Sequence, residues 1–385
     1  MTSSPTWPRR STPAPAERRF ATRVLHTGHE VDPVTGAAAV PIYQVSMFDQ
    51  PGLDSPGEFD YARSGNPTRK SLEGVLAALD DAAGAFAFGS GMAALSSVLM
   101  LFSAGDHLVV TDDCYGGTYR VLTRVFSRFG IKATFVDTSD VEAVRAAFRP
   151  ETRGLLVETV SNPFLQRTNV PAMAALARTY GALLIVDNTF LSPALSRPLT
   201  EGADIVIHSA TKYLGGHSDV VAGTVAVRTP ELAKEVYFLQ NAVGAVLGPQ
   251  DCFLLQRGIK TLHVRLERQV RTAGALARWL GGRPEVREVF YPGTGAVVSF
   301  RLARDAMAAP FVESLRLPLL GVSLGAVESI VTVPARHSHA SVPAPERERR
   351  GITDGLIRFS VGLEDVEDLQ ADLAQALGRA VREAA

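Results

Sequence analysis

The chain has 385 residues, 46% of them hydrophobic and 21% charged, with a formal net charge of -1. That length and balance exclude a disordered chain and allow a large core, while the near-zero charge gives no pull toward nucleic acid or an anionic membrane. The two cysteines, Cys114 and Cys252, cannot build a disulfide framework or a thiolate metal site, so a reducing cytoplasm is the simplest setting.

No apolar run reaches the ~18 residues that a membrane helix needs. Residues 1–20, rich in Ser, Thr, Pro and Arg, read as a disordered arm, whose prolines oppose the amphipathic helix of a transit peptide. Residues 21–65 carry the breakers Pro33, Gly36, Pro41 and Pro51 without a periodic apolar face. They predict an extended segment lacking a core of its own, which packs on another body. Asn66 then caps a helix opened by Pro67, with Leu72, Val75, Leu76 and Leu79 on one face.

Across residues 66–250, short apolar runs alternate with helical patterns. The runs predict strands at Ala85–Phe88, His107–Thr111, Lys132–Val136, Gly154–Glu158, Ala182–Val186, Asp204–Ile207 and Val220–Val227. Helices are predicted over Met92–Phe102, Thr118–Phe129, Val141–Phe148 and Pro171–Tyr180. Such alternation means βαβ units and an α/β fold, with a mostly parallel central sheet and helices on both faces. Residues 251–385 change character. One long helix over Asp251–Leu280 precedes strands at Glu288–Tyr291, Ala296–Leu302 and Ile357–Val361, and a closing helix spans Val366–Glu383. This is the pattern of a smaller α+β domain.

In open α/β sheets, ligands sit outside the carboxyl ends of strands. Several residues of chemical interest fall there. Lys212 follows the run Ile205-Val206-Ile207 and is one of five lysines in the chain, with Lys70, Lys132, Lys234 and Lys260. It reads either as a loop lysine or as a Schiff-base amine flanked by hydroxyls. The turn Gly89-Ser-Gly-Met-Ala-Ala94 opens a helix, so it suits a phosphate as well as it suits close strand-to-helix packing. Asp187, after Leu183-Leu-Ile-Val186, is a turn-former or a buried acid that needs a cation such as a pyridinium nitrogen. Tyr115 either stacks on an aromatic cofactor or merely occupies a loop corner. Asn162 follows another strand end. Arg358, flanked by apolar residues, takes a substrate carboxylate or an internal salt bridge. Taken together, these groups supply what pyridoxal phosphate needs to act on an amino acid. His208, His217, His337 and His339 share no metal-ligand spacing, so no metal is expected.

The motifs Tyr61-Ala-Arg-Ser-Gly-Asn-Pro-Thr68, Ser90-Gly-Met92, Tyr115-Gly-Gly117, Asp187-Asn-Thr189, Ser209-Ala-Thr-Lys-Tyr213, Ser323-Leu-Gly325 and Arg358 resemble the Cys/Met-metabolism enzymes that depend on pyridoxal phosphate. The resemblance runs from about residue 22 to residue 377 and implies pyridoxal-phosphate fold type I, the aspartate-aminotransferase-like architecture. It implies that Lys212 forms the Schiff base and shuttles protons, Asp187 pairs with the pyridinium and Tyr115 stacks on the ring. Gly91, Met92, Ser209 and Thr211 would hold the phosphate, joined by Tyr61 and Arg63 of a neighbouring subunit. Asn162, Ser323 and Arg358 would orient the substrate carboxylate and the cofactor. A homotetramer, built as a dimer of active dimers, is implied as well.

Substrate choice turns on fewer positions. Asp60 and Arg120 resemble an acidic residue and an arginine of cystathionine γ-synthases and γ-lyases. Those enzymes commonly carry Glu where this chain has Val322, and a distal amino group would lack that acid here. Methionine γ-lyases usually have Cys where Gly117 stands. After Tyr291-Pro-Gly293 the longer His- and Gly-containing connection of relatives is absent. Three expectations follow. The first is a γ-synthase or γ-lyase of sulfur amino acids. The second is a specialised-metabolism enzyme with an uncharged γ leaving group, a halide or acyl ester. The third is a non-catalytic protein that keeps the fold.

Overall fold

The computed structural model describes residues 18–28, 32, 34–340 and 342–384. Most of the expected disordered arm, residues 1–17, therefore lies outside the described residues. The segment read as extended from residue 21 begins instead within a short helix, α1 (Phe20–His26), with Arg23 and Val24 buried. The Arg23 guanidinium donates to Ala78 O at 2.9 Å and pairs with the Asp81 carboxylate. This tethers α1 to the end of α2 (Pro67–Asp80), a docking that periodicity within seven residues could not reveal. At the other end of α2, Asn66 accepts the N–H groups of Thr68 and Arg69, with Pro67 in the first turn. Between them, Met47 is 64% exposed and Leu53 fully so, and an isolated bridge joins Met47 to Tyr61.

The alternation then unfolds in order: β1 (Gly84–Phe88), α3 (Gly91–Leu99), β2 (His107–Thr111), α4 (Gly116–Arg124), β3 (Lys132–Val136), α5 (Val141–Ala147), β4 (Thr152–Glu158), α6 (Val170–Thr179), β5 (Leu183–Asp187), α7 (Ser192–Leu195), β6 (Ile205–His208), β7 (Gly223–Val227) and α8 (Pro230–Val243). Among the described residues these strands form one sheet in the order β1-β7-β6-β5-β4-β2-β3. It is parallel except for β7, which runs antiparallel to both neighbours. Strand side chains alternate between faces with period two. Val109, Leu155, Val157, Leu184, Val186 and Val206 meet Leu72 and Leu76 of α2 and Met173 of α6. Leu108, Val110, Leu156, Ile185, Ile205 and Ile207 meet Leu95 and Val98 of α3 and Leu122 of α4. Burial on both faces explains why the strands read as continuous apolar runs.

Two helices differ from expectation. α4 stops at Arg124 and passes into a 3-10 turn at Phe126–Phe129, closed by Gly130 at φ 81. α8 left no usable apolar stripe, because its buried residues are Val236 and Gln240, while Tyr237 and Phe238 are exposed.

The expected long helix over 251–280 is two helices, α9 (Pro249–Ile259) and α10 (Leu262–Gly281), broken at Lys260–Thr261. Cys252, Leu255 and Ile259 belong to the core of the large sheet. Gly258 lets α9 approach a loop, since a Cβ there would stand 2.2 Å from Gly215 O. The remaining elements are β8 (Val286–Phe290), β9 (Val297–Leu302), α11 (Ala308–Ser314), β10 (Leu319–Leu320), β11 (Ile330–Thr332), α12 (Ala344–Arg349), β12 (Leu356–Ser360) and α13 (Val366–Glu383). Their strands pair in the order β10-β11-β12-β9-β8. Phe300, Val331 and Phe359 of this sheet bury against Leu276 of α10, Phe311 of α11 and Leu373 of α13. No described helix is long and apolar enough to cross a membrane.

The two sheets are joined tightly next to Lys212. Val327 N–H donates to Gly216 O at 2.9 Å, while Gln269 of α10 steadies the smaller sheet's side of this seam by donating to Ala326 O and Val361 O. Gly325 sits at φ 79, where a Cβ would stand 2.8 Å from Tyr213 N.

Candidate active site

Register fixes the frame. Glu158 pairs with Asp187 and Asp187 with Ile207, so the carboxyl ends of β4, β5 and β6 lie side by side. Lys212 follows β6, and its Nζ donates to Ser323 Oγ at 2.8 Å. Burial, with Arg358 nearby, pushes the Lys212 ammonium down from 10.5 to about 8.

Arg358, on β12, is 1% exposed. Its Nη1 donates to Asn162 Oδ1 at 3.0 Å; its Nη2 donates to Ser323 O at 3.1 Å and Thr332 Oγ1 at 3.2 Å. Its Nε has no partner, and no carboxylate pairs with it among the described residues. An internal salt bridge is therefore not what this arginine makes. Burial lowers its pKa to about 10, which leaves a desolvated guanidinium held by neutral acceptors and suited to an incoming carboxylate.

Asp187 also acts as a turn-former, since its Oδ1 accepts Thr189 N–H at 2.9 Å and the Thr189 hydroxyl. Burial pushes its carboxyl up from the ordinary range, against those bonds and the charge of His208. A cation placed at that carboxyl would relieve the cost. Tyr115 precedes α4 with its ring packed over Gly117, where a Cβ would come within 2.3 Å of Tyr115 Cε1 and 2.9 Å of Met92 Sδ. Its backbone N–H donates to Glu158 Oε1 at 2.7 Å. Glu158 is buried beside Asp187, and burial together with Asp187 pushes its carboxyl well above the usual range.

At the start of α3, Ser90 Oγ caps Ala93 N–H at 3.0 Å. The N–H groups of Gly91 and Met92 have no acceptor among the described residues. A Cβ on Gly91 would stand 2.9 Å from Ser209 Cβ, so the serine lies directly against the helix opening. Free amides beside a hydroxyl make an anion cradle. Thr211 is placed differently, since its hydroxyl both donates to Ala222 O and accepts Ala222 N–H. An acid with a raised pKa, an aromatic face, an anion cradle and a lysine amine together suit a cationic aromatic ring that bears a phosphate and an aldehyde.

Other expected site residues are not drawn into this cluster. Arg63 donates to Asn241 O at 2.7 Å and lies over the exposed Tyr61 ring, while Asp60 accepts Tyr61 N–H. Arg120 is exposed on α4 beside a groove of about 290 Å³ lined also by Tyr119, Thr123, Arg124 and Pro343. Val322, next to Ser323, is 63% exposed. The four histidines make separate contacts: His208 with Asp80 at 3.0 Å, His217 with Gly215 O, His337 with Val333 N–H and His339 with Cys114 O.

Sequence reasoning missed Glu158 and Asp113, and named Thr189 only as part of the Asp187-Asn-Thr189 motif. Glu158 ends an apolar run just as Asp187 does, so the same pattern would have found it. Thr189 and Asp113 read as ordinary turn residues.

Residues 21–378 match the family described as Cys/Met metabolism PLP-dependent enzyme. The chain is 49% identical over 372 residues to a cystathionine gamma-lyase of Bacillus subtilis, covering 92% of this chain and 98% of that protein. It is 50% identical over 372 residues to a cystathionine beta-lyase of the same organism, covering 92% and 95%. A crystal structure of cystathionine gamma-lyase from Lactobacillus plantarum complexed with L-serine superposes with a TM-score of 0.93 at 42% identity, covering 94% of this chain and all of that one.

Proposed function

The chain belongs to the Cys/Met metabolism PLP-dependent enzyme family, and on that premise we propose that it eliminates or replaces the γ-substituent of an L-amino acid, in the manner of a cystathionine γ-lyase or γ-synthase. The observation that carries this reading is the pairing of Lys212 with Ser323, whose own carbonyl holds an arginine lacking any acid partner. One end of the site takes a carboxylate, and the other holds an amine near enough to accept a proton from the carbon that bears that carboxylate.

Pyridoxal 5'-phosphate, when bound, supplies the electron sink that allows a proton to leave Cα. Asp187 would hold the ring nitrogen, Tyr115 the ring face, and Gly91, Met92 and Ser209 the phosphate, with Thr211 joining them if its hydroxyl turns from Ala222 O to the anion. Arg358, with Asn162 and Ser323, would fix the substrate carboxylate and so aim the Cα–H bond at the Lys212 amine. With a pKa near 8, that amine can accept the Cα proton and return it elsewhere on the substrate. A further proton lost from Cβ lets the γ-substituent leave with its bonding pair. The unsaturated product either adds a nucleophile at Cγ or hydrolyses to a 2-oxo acid and ammonia. Lys212, Asp187 and Arg358 are all in place, which favours catalysis over a protein that merely keeps the fold.

Val322 supports a second reading, an uncharged γ leaving group such as a halide or acyl ester, because an exposed apolar residue flanks Ser323. The exposed arm at residues 34–65 supports a homotetramer of active dimers in which Tyr61 and Arg63, with Asp60, serve a neighbour's site. Asp60 and Arg120 would then line the approach of the γ-substituent. A cytoplasmic setting fits two free, buried cysteines. The test is product analysis on purified holoenzyme with L-cystathionine, and with O-acyl-L-homoserine plus a thiol. Release of 2-oxo acid and ammonia, or formation of a thioether, is expected; cofactor binding without turnover of any γ-substituted amino acid would overturn the proposal.

A further inference from the structure

Asp113 lies two residues before Tyr115, in the loop just after β2, and is 7% exposed. Its Oδ2 accepts the Ser161 hydroxyl and, at 3.3 Å, Phe164 N–H. Its backbone carbonyl accepts Asn162 N–H at 3.1 Å. Ser161 Oγ in turn accepts Gln166 N–H at 3.0 Å, closing the loop after β4 on itself. Thus one residue binds Ser161 just before Asn162, Phe164 two residues after it, and the backbone of Asn162 itself. Asn162 is 2% exposed, and its Oδ1 is the acceptor for Arg358 Nη1.

A buried carboxylate is a costly way to organise a loop. Asp113 Oδ1 has no partner, and burial raises the carboxyl to about 6 against the bonds from Ser161 and Phe164. A neutral residue could have packed there at lower cost, so the specific bonds to the 161–164 turn are what this acid contributes. Asn162 Oδ1 is one of three neutral acceptors that orient the Arg358 guanidinium. A turn that drifted by a fraction of an ångström would weaken that bond steeply and swing the guanidinium toward Ser323 and Thr332.

We propose that Asp113 is a positioning residue for substrate-carboxylate recognition: by gripping Ser161 and Phe164 it fixes Asn162, and Asn162 aims Arg358. The inference rests on the reading of Arg358 as the carboxylate ligand. The experiment uses reconstituted holoenzyme of the wild type and of Asp113→Ala, Ser161→Ala and Arg358→Ala. Two probes are titrated, L-alanine and its carboxamide, which lacks the carboxylate, and binding is read from the cofactor's visible spectrum. Asp113→Ala and Ser161→Ala are expected to weaken L-alanine about tenfold, the loss of roughly one hydrogen bond, while the carboxamide binds as it does to the wild type. Equal weakening of both probes, or of neither, overturns the positioning role. Ser161→Ala removes only a hydroxyl and carries the test alone should Asp113→Ala fail to fold. Arg358→Ala separates the two levels. If it weakens both probes alike, or neither, the carboxylate reading itself falls; if it alone weakens L-alanine selectively, only the role of Asp113 falls.

Discussion

Lys212 and Ser323 meet amine to hydroxyl at 2.8 Å across 111 residues of sequence. The serine belongs to the segment leading from β10 to β11 and the lysine to the loop after β6, so this bond spans the seam between the two sheets. Because the Ser323 carbonyl also holds Arg358, a single residue sets the spacing between the amine and the guanidinium. Ser323→Ala should lower kcat about tenfold, equivalent to ~1.4 kcal/mol of misorientation at the amine, with a smaller change in KM. Steady-state kinetics check this, and a change confined to KM would contradict it.

The pKa of Lys212 makes a prediction about cofactor capture. The neutral amine is the nucleophile, so capture of pyridoxal phosphate by the cofactor-free protein should accelerate as pH rises toward about 8 and level off above it. A midpoint near the ordinary lysine value of 10.5 would contradict the burial argument. The same depressed value implies a stability cost below pH 8, where burial disfavours the ammonium, and this cost is relieved as pH rises from there toward 10.5. Lys212→Ala should abolish turnover and the borohydride-reducible link to the cofactor.

Selectivity should respond to Val322 while the chemistry does not. Val322→Glu places an acid beside Ser323 and should shift kcat/KM about tenfold toward substrates with a distal ammonium, cystathionine over O-acyl-homoserine. Parallel assays on the two substrates decide this. An unchanged ratio would remove Val322 from the specificity determinants.

Subunit mixing tests the proposed sharing of the arm. Inactive Lys212→Ala chains combined with inactive Tyr61→Phe/Arg63→Ala chains should regain activity, because one hybrid site then carries every group. Failure to regain activity after verified exchange would assign each site to a single chain.

The smaller sheet depends on Phe300, which is fully buried and meets Phe311 edge to face at 5.8 Å between centroids. Phe300→Ala should cost about 3–5 kcal/mol, measured by denaturant unfolding.

The large sheet was legible because burial on both faces forces uninterrupted apolar runs: the run at His107–Thr111, buried throughout, coincides with β2, and Lys132–Val136 coincides with β3 although that edge strand is only partly buried. The closing helix kept its bounds, Val366–Glu383, because Leu369, Leu373, Ala376, Leu377 and Ala380 recur on one face. Elements that bury little escaped notice, and so did β11 and α11, which are buried but only three and seven residues long. α8 buries only Val236 and Gln240, and β10 is two exposed leucines. In the site, Lys212 and Asn162 stood out because they follow the ends of apolar runs, and Arg358 because it interrupts one. That the amine would meet Ser323, and that Arg358 would find no acid, are contacts between distant segments with no local signature. Arm residues such as Tyr61 were legible through their motif, whereas their contacts inside one chain explain little of their chemistry.

The seam beside Lys212 has an evolutionary consequence. Gly325 against Tyr213 and the bond from Val327 to Gly216 O lock the backbone just after Ser323 to the lysine loop. Val322, one residue earlier, projects outward from that locked frame. New side chains can therefore be tried at position 322 while the Lys212 amine keeps its place. A lineage with this architecture can change diet without relearning its chemistry.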